Sequence, residues 1–377
     1  MSGATAVSRS KNVRYVVGVD HLRGLAVILI IVYHGVQQIS GRLWPLAGNP
    51  LAALIYEGHT AVALFMVLSG FIFTYGALDR EVHYRPFIKN RLLRIAPMYL
   101  LVLTVAIYTT PKAYSLSGVL PYLTLHATPP LAVADLGAFG ALLWTISVEF
   151  TFYLIFPFLI RFLRTSGPLY LLGLLAVMNA LRLVSAGLNA TNIRDLAYWT
   201  ILGRLDQFVV GMLVGWVVVR RPVVLGRLAR GGVLLAAGAA LLIGIFVYNR
   251  NGGWLATAAW KSVWPLIEGL LWGSLVWAYL QASARWTGRV GRTAAWSGVI
   301  SYSAYLLHYA LVVLIAKHTP HLADDPLRNA LLVTALVIIP ATAALSTLTY
   351  LVIERPFMQM RVRYLTNLSA AATPSSG

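Results

Sequence analysis

Two residues with acid–base side chains lie inside apolar segments of the sequence. His34 follows the apolar run 30–33, and Glu149 lies within the run 144–150. A titratable side chain is unfavourable in apolar surroundings, so each is a candidate functional residue. A carboxylate that holds an imidazole forms the base-and-orienting half of a hydrolase-like triad. These residue types predict general-base chemistry, with His34 as the base and Glu149 as the group that orients it.

Three arginines form a second candidate group. Arg23 precedes His34 by eleven residues, which on an α-helix is within about 20° of three full turns and about 16 Å of rise. Both side chains would therefore share one side of a helix. Arg91 and Arg94 stand together before another apolar run. Because arginine clusters suit phosphate groups, the three predict a phosphate-binding patch. For Arg91 and Arg94, ordinary anchoring of a membrane helix is the alternative.

The composition indicates an integral membrane protein. Of the 377 residues, 59% are hydrophobic and only 11% are charged, whereas soluble domains carry about 25% charged residues. The mean hydropathy is +0.74. The net charge of +18 comes from basic residues placed between apolar segments, which indicates topology and contact with anionic lipid rather than nucleic acid. The absence of cysteine excludes a thiol nucleophile, disulfides and a thiolate metal site.

The apolar runs predict an all-α, polytopic membrane bundle of about ten helices. A spanning helix needs about 20 mostly apolar residues. The first run follows a basic tail and is long enough to span, so we interpret it as an uncleaved helix. The run 116–132 is interrupted by Pro121, Pro129 and Pro130, which predicts a re-entrant or interfacial external loop. The ten predicted spans are 22–40, 59–78, 95–110, 141–163, 168–186, 199–219, 231–247, 260–281, 296–316 and 328–353.

The distribution of basic residues predicts the orientation. With an internal amino terminus, twenty arginines and lysines fall in internal segments and five in external loops. Cytoplasmic loops carry such an excess, so both termini are predicted to be cytoplasmic in a multi-pass protein of the cell (inner) membrane. Residues 15–360 would form the membrane domain between cytoplasmic tails at 1–14 and 361–377. The Ser, Thr, Ala and Gly content of 1–14 and 365–377 predicts disorder there.

The predicted helix ends also give the depths of the two acid–base residues. His34 would lie about 9 Å below the outer end of the first span, and Glu149 about 12 Å below that of the fourth. The pair is therefore expected to meet in the outer half of the bilayer. For either residue alone, a structural hydrogen bond or ion pair is the alternative. No second histidine or carboxylate stands at ligand spacing near His34, so no metal site is predicted.

Six segments in order resemble the motifs of the acyltransferase-3 family of integral membrane acyltransferases. In that family an arginine and a histidine are separated by ten residues, as Arg23 and His34 are. His21 stands where the family usually has Gly, and Phe150 stands where many members have a polar residue. The segments are VDHLRGLA (19–26) with VYH (32–34), ALFMVLSGF (63–71), RLLRIAPMY (91–99), LWTISVEF (143–150), SYSAYLLH (301–308) and IERPF (353–357).

The resemblance implies a membrane O-acyltransferase. Such an enzyme moves an acyl group, commonly acetyl, from cytoplasmic acyl-CoA to a hydroxyl of a glycan, glycolipid or glycosylated metabolite. Acyl-CoA would be a co-substrate rather than a permanently bound cofactor, and this chain would resemble members without an attached hydrolase-like domain. The implied site has His34 and Glu149 in catalysis and Arg23, Arg91 and Arg94 at the donor phosphates. Tyr33, Ser69, Trp144 and Ser147 are candidate lining residues, and for each of them plain packing is the alternative. Tyr302 and His308 are candidates for the acceptor path.

Two mechanisms and one rival function stay open at this point. Direct transfer and an acyl-enzyme route through His34 fit the same residues. Intramembrane His, Glu and Asp also build proton relays, so a proton-coupled transporter or flippase is the alternative function. The sequence shows no paired half-repeats or matched broken helices, which such transporters often contain. Arg204 and Asp206 are predicted to form an internal structural pair, and Glu268 is a further intramembrane candidate.

Overall fold

The computed structural model describes residues 12–41, 45–110, 115–127, 136–188, 192–223, 226–282 and 288–368. Almost all regular structure in these ranges is helical, which confirms the all-α prediction. The α-helices are α1 (Val17–Ser40), α2 (Pro50–Tyr56), α3 (Ala61–Ala77), α4 (Tyr84–Thr109), α5 (Leu116–Leu123), α6 (Gly137–Gly140), α7 (Leu143–Ser166), α8 (Pro168–Gly187), α9 (Ile193–Trp199), α10 (Ile201–Arg220), α11 (Arg227–Arg250), α12 (Trp264–Ala282), α13 (Arg289–Val299), α14 (Ser301–Ala316), α15 (Pro326–Val333), α16 (Ile339–Thr349) and α17 (Arg355–Gln359).

Short elements connect and cap these helices. Two π-helical segments, Thr334–Ile338 and Tyr350–Glu354, join α15, α16 and α17 into one long span. The strands β1 (Arg80–Val82) and β2 (Leu365–Asn367) pair antiparallel, with Arg80 opposite Asn367. Three 3₁₀ helices lie at Gly58–Thr60, Gly253–Leu255 and Ala259–Ser262.

Eight segments of the described chain are long and apolar enough to cross a membrane. The helices α13 and α14 together form a ninth, bent by 73°. The remaining predicted span corresponds to α12, whose glutamate and three tryptophans make it less apolar than the others. The eight segments are Val17–Ser40, Gly58–Ala77, Tyr84–Thr109, Gly137–Ser166, Pro168–Gly187, Ile201–Arg220, Leu228–Arg250 and Pro326–Gln359.

Contacts between chain ends show that α12 crosses as well. The side chain of Asn12 accepts a hydrogen bond from Tyr364 N (2.7 Å) and donates one to Val362 O (3.0 Å), so both ends lie on one face. We call this the terminal face and the other the opposite face. A chain that begins and ends on one face crosses an even number of times. The hydroxyl of Tyr279, near the end of α12, contacts His21 at the start of α1. The end of α12 therefore lies on the terminal face, and we assign α12 as the crossing that makes the number even.

Parts of the predicted tails belong to the folded bundle. Asn12 and Tyr364 are buried, and residues 365–367 form strand β2 against β1. The expectation of disorder is therefore wrong for 365–367, because the edge of β1 offers backbone partners that composition does not reveal. In the predicted loop 116–132, Pro121 lies inside α5, while residues 128–132 are outside the described ranges. The tails 1–11 and 369–377 are likewise outside them.

Buried ion pairs tie α10 to its neighbours. Asp206 pairs with Arg182 on α8 (2.5 Å), and Arg204 pairs with Glu268 on α12 (3.1 Å). The predicted Arg204–Asp206 pair is wrong. Two residues that are two positions apart on an α-helix are separated by about 200° of rotation, so their side chains point in nearly opposite directions. Each therefore meets a different neighbouring helix.

Glycine brings α3 and α10 into backbone contact. A Cβ atom at Gly70 would lie 2.0 Å from Phe208 O, and one at Gly211 would lie 2.1 Å from Val67 O. Close approach through small residues is a main source of helix association in membranes, where apolar side chains gain little by leaving lipid. This backbone contact fixes the position of Ser69, the neighbour of Gly70, along the axis of the bundle.

The glycine crossing can be tested by substitution. Gly211→Val should lower the thermal midpoint of the purified protein in detergent, because the added side chain has no room beside Val67 O and overpacking costs about 1–3 kcal/mol or more. Gly238→Val is the matched control, since Gly238 lies within α11 and a Cβ there has nothing within 4 Å. Equal midpoints for the two variants would contradict the packing described here.

Candidate active site

A histidine pair joins α1 to α14. His34 Nδ1 lies 2.9 Å from His308 Nε2. On its other side, His308 Nδ1 lies 2.7 Å from Tyr305 O and 3.1 Å from Ala304 O. Carbonyl oxygens only accept, so His308 Nδ1 carries the hydrogen, and in the neutral ring Nε2 is an acceptor. His34 Nδ1 must then donate to it, which leaves the lone pair of His34 on Nε2.

The two histidines differ in exposure. His308 is fully buried, whereas His34 is half-buried. The ring of His34 lies 4.8 Å from that of Tyr309, whose hydroxyl accepts a hydrogen bond from the exposed Gln38 (3.3 Å). Since α1 ends at Ser40, His34 lies about 9 Å below that end. A base with a free lone pair is therefore accessible near the opposite face.

Glu149 lies elsewhere than the sequence predicted. Its carboxylate accepts hydrogen bonds from Ser69 Oγ (3.0 Å) and from Tyr153 OH. No hydrogen bond joins it to His34 within the described ranges, so the expected direct orientation of His34 by Glu149 is corrected. The spanning segment begins at Gly137 rather than near 141, which places Glu149 about 18 Å along it instead of about 12 Å. His308 occupies the position that Glu149 was expected to fill.

A cavity of about 250 Å³ lies beside the first half of α1. It extends from the terminal face to residues near the middle of the bundle, including Ser69 and Glu149. Its described lining has more positive than negative side chains, so it favours an anionic occupant. The charged lining residues are Arg14, Arg23, Arg91, Arg94 and Arg361 with Asp20 and Glu149. We call this space the arginine cavity.

The two arginines of the Arg-x-x-Arg segment have different partners. Arg94 pairs with Glu354 (3.1 Å), so its charge is compensated. Arg91 is held by aromatic rings instead: its guanidinium carbon lies 4.8 Å from the ring centre of Phe73 and 5.3 Å from that of Phe87. No carboxylate in the described ranges lies within ion-pair distance of it. Aromatic faces orient a guanidinium without neutralising it, so Arg91 is the better phosphate ligand.

Arg361 is a cavity residue that the sequence did not single out. It follows α17, and its Nε donates to Met358 O (2.9 Å). Burial, together with the neighbouring positive charges of Arg94 and Arg91, lowers the pKa of Arg361 to about 10. A bound anion would stabilise the charged form of Arg361 in that position. In the sequence, Arg361 is marked only by its position in a basic internal segment. Many arginines that serve only to orient the membrane helices share that feature.

The other predicted site residues lie in different parts of the bundle. Tyr302 lies in the arginine cavity, with Arg94 5.6 Å from its ring centre. Ser147 is buried, and its hydroxyl has no partner within the described ranges. Trp144 packs edge-on against Trp199 at 4.7 Å. Tyr33 lies beside His34, with ring centres 4.8 Å apart.

Comparisons with known proteins show the family of the chain. An acyltransferase domain family matches residues 16–351. BcsY of Komagataeibacter xylinus, described as a membrane-bound transacylase, is 26% identical over 359 residues, which cover 89% of this chain and 81% of that protein. The acyltransferase MdmB of Streptomyces mycarofaciens is 28% identical over 151 residues, or 38% of each chain. The O-acetyltransferase OatA of Staphylococcus aureus is 29% identical over 180 residues, which cover 40% of this chain and 25% of that protein.

No solved structure matches the chain at a significant level. The family match alone covers well over half of the 377 residues. It also contains the histidine pair, Glu149 and the arginines on α1 and α4. The chain therefore belongs to the acyltransferase-3 family and is a multi-pass membrane O-acyltransferase.

Proposed function

We propose that the protein transfers a short acyl group, most simply acetyl, from acyl-CoA at the terminal face to an acceptor hydroxyl near the opposite face. The acceptor is a glycan, a glycolipid or a glycosylated metabolite. The observation that carries the proposal is the placement on α1 of Arg23, in a positively charged cavity, and of His34, whose lone pair lies on Nε2. The excess of internal basic residues supports a cytoplasmic location for the terminal face. We propose the cell (inner) membrane as the site of the reaction.

The arginine cavity suits the donor. Coenzyme A carries several phosphate charges at one end and its thioester at the other, joined by a narrow arm. Arg23 and Arg91 would hold the phosphates, with Arg14 and Arg361 at the mouth. The rise of about 16 Å from Arg23 to His34 is suitable for the arm. Arg94 is already paired with Glu354, so it would contribute mainly by holding that end of α4.

The histidine pair suits the transfer step. His34 Nε2 would remove the proton of the acceptor hydroxyl while the oxygen of that hydroxyl attacks the thioester carbonyl. The new C–O bond forms as the C–S bond breaks, and the proton passes from His34 to the departing thiolate. His308 would hold the ring of His34 through Nδ1 throughout. Glu149, with Tyr153 and Ser69, would fix the cavity wall along which the thioester approaches.

Substitutions in the histidine pair test the transfer step. His34→Ala should lower the turnover of acetyl-CoA in the presence of acceptor by about 10²–10⁴-fold, because the general base is lost. His308→Phe should lower kcat by about 100-fold or more while leaving the KM for acetyl-CoA unchanged, since the ring of His34 loses its fixed tautomer. His308→Gln should recover part of kcat, because its amide oxygen can accept from His34 Nδ1.

The outcome that contradicts this mechanism is full transfer by His34→Ala. A drop for His308→Phe that His308→Gln does not relieve would instead give His308 a packing role. Calorimetric titration with acetyl-CoA should give the wild-type Kd for all three variants, which shows that each is folded and inserted.

A substitution at Arg91 tests the donor site. Arg91→Gln should raise the Kd for acetyl-CoA by about 10-fold or more, because a charge-assisted hydrogen bond to phosphate is worth about 1.5–3 kcal/mol. The wild-type Kd should also rise with ionic strength. Arg85→Gln is the control, since Arg85 is an exposed residue of the same helix. An unchanged Kd for Arg91→Gln would assign Arg91 to topology alone.

A further inference from the structure

A second histidine with a carboxylate partner lies near the opposite face. His59, in the 3₁₀ helix before α3, has its Nε2 2.9 Å from Glu57 Oε2. The other oxygen of Glu57 accepts from Asn249 Nδ2 (2.8 Å), so the carboxylate is held on both sides. A carboxylate accepts, so His59 Nε2 carries the hydrogen and Nδ1 of the neutral ring is an acceptor. Nδ1 is buried and has no partner within the described ranges.

This histidine faces a small cavity, which we call the outer chamber. Its volume is about 20 Å³, which is enough for one water-sized group. Arg204 also lines the chamber, and its buried Nη2 has no partner in the described part of the chain. Arginine only donates and neutral His59 Nδ1 only accepts, so a hydroxyl group has the donor and the acceptor that these two atoms require. The chamber is lined by His59, Arg194, Ala197, Tyr198, Arg204, Tyr248, Trp254, Lys261, Trp264, Pro265 and Glu268.

The charges around the outer chamber are compensated, unlike those of the arginine cavity. Arg204 pairs with Glu268 (3.1 Å), and Arg194 pairs with Asp195 (2.9 Å). Lys261 donates to Tyr248 OH (2.7 Å), and the carboxylates of Glu57 and Glu268 offset its charge. A bound phosphate or carboxylate would find little net positive charge here. A neutral hydroxyl therefore fits the chamber better than an anion does.

Aromatic side chains form the walls of the chamber. The ring centres of Tyr198 and Trp254 are 4.4 Å apart, and each lies 5.3 Å from the ring centre of His59. Trp254 is half-buried, so part of its ring is accessible to a ligand. Binding sites for small organic groups combine such aromatic walls with a few convergent polar atoms. A ring that carries hydroxyls can contact the aromatic faces and place one hydroxyl inside.

The outer chamber lies close to the proposed base. The ring of Tyr33 lies 4.8 Å from that of His34 and 5.4 Å from that of His59, so the two histidine ring centres lie within 10.2 Å of each other. One or two sugar rings can bridge that distance. Since α1 carries both Tyr33 and His34 and packs against the 3₁₀ helix of His59, the separation is fixed by the fold.

We propose that the outer chamber binds a hydroxyl of the acceptor sugar other than the one that is acylated. That hydroxyl would donate to His59 Nδ1 and accept from Arg204 Nη2 while its ring contacts Trp254. A second hydroxyl would then reach His34 Nε2, so the chamber selects which hydroxyl receives the acyl group. The inference rests on the proposed function and names the subsite that gives that reaction its acceptor specificity.

Glycoside binding to the purified full-length protein tests the chamber. The probes are the methyl α-pyranosides of glucose, galactose, mannose and N-acetylglucosamine, titrated in detergent while tryptophan fluorescence is followed. At least one should change the wild-type fluorescence saturably. His59→Phe should raise its Kd by tenfold or more, because the ring volume stays but the acceptor nitrogen is lost. His318→Phe, at an exposed histidine, should bind as wild type does.

Trp254→Ala is the second variant in case His59→Phe does not fold, because Trp254 lies in a short surface 3₁₀ helix. It should lose the same binding. The proposal is overturned if none of the four glycosides binds the wild type, or if the folded variants bind as tightly as the wild type. The Kd for acetyl-CoA should be equal in all samples, since the arginine cavity is separate.

The same samples separate this inference from the proposed function. If the wild type consumes acetyl-CoA with a bound glycoside and the chamber variants acylate the same hydroxyl with the same KM, only the chamber proposal fails. If glycosides bind and the variants lose them, but the wild type never consumes acetyl-CoA with any of the four, the proposed transfer fails while the chamber remains a sugar site. Product positions are assigned by nuclear magnetic resonance.

Discussion

Polar groups inside this bundle must find partners on other helices, because lipid supplies none. Arg182 with Asp206, Arg204 with Glu268 and Arg94 with Glu354 meet this constraint, and each pair fixes one helix against another. The polar atoms that remain unmatched in the described chain are therefore informative. Unpaired buried groups are unfavourable by about 1–3 kcal/mol each. In the proposed acceptor complex, a bound hydroxyl would offset those of the outer chamber.

The bundle thus contains two polar sites of different electrostatic character. The arginine cavity has an excess of positive charge, whereas the outer chamber is compensated. On the proposed function, a polyanionic donor and a neutral acceptor would accordingly be directed to different ends. Because Arg23 and His34 belong to the same continuous α1, the distance between these two residues does not depend on loop conformation. The glycine contact of α3 with α10 gives Ser69 a similarly fixed height.

Features encoded locally could be predicted, and features that depend on contacts between distant segments could not. Apolar length gave the spans, and helical geometry alone placed Arg23 and His34 on one side of α1. Depth was less predictable, because the extra turn at Gly137 moves Glu149 further into the bundle. The partner of His34 lies 274 residues away. His59 and Glu57 had no helical or strand periodicity to mark them, since their pairing depends on the turn that begins a 3₁₀ helix.

A histidine in place of the expected carboxylate changes the chemistry of the base in a physically reasonable way. A carboxylate beside His34 would introduce a formal charge into a low-dielectric region, where it needs further partners. His308 stays neutral, and two backbone carbonyls fix its tautomer. A neutral partner stabilises the imidazolium of His34 less than a carboxylate would, so in the proposed transfer the proton would be released more readily to the leaving thiolate. Thioesters are already activated toward attack. A weaker base that returns its proton quickly therefore suits the proposed transfer better than a base that is paired with a carboxylate.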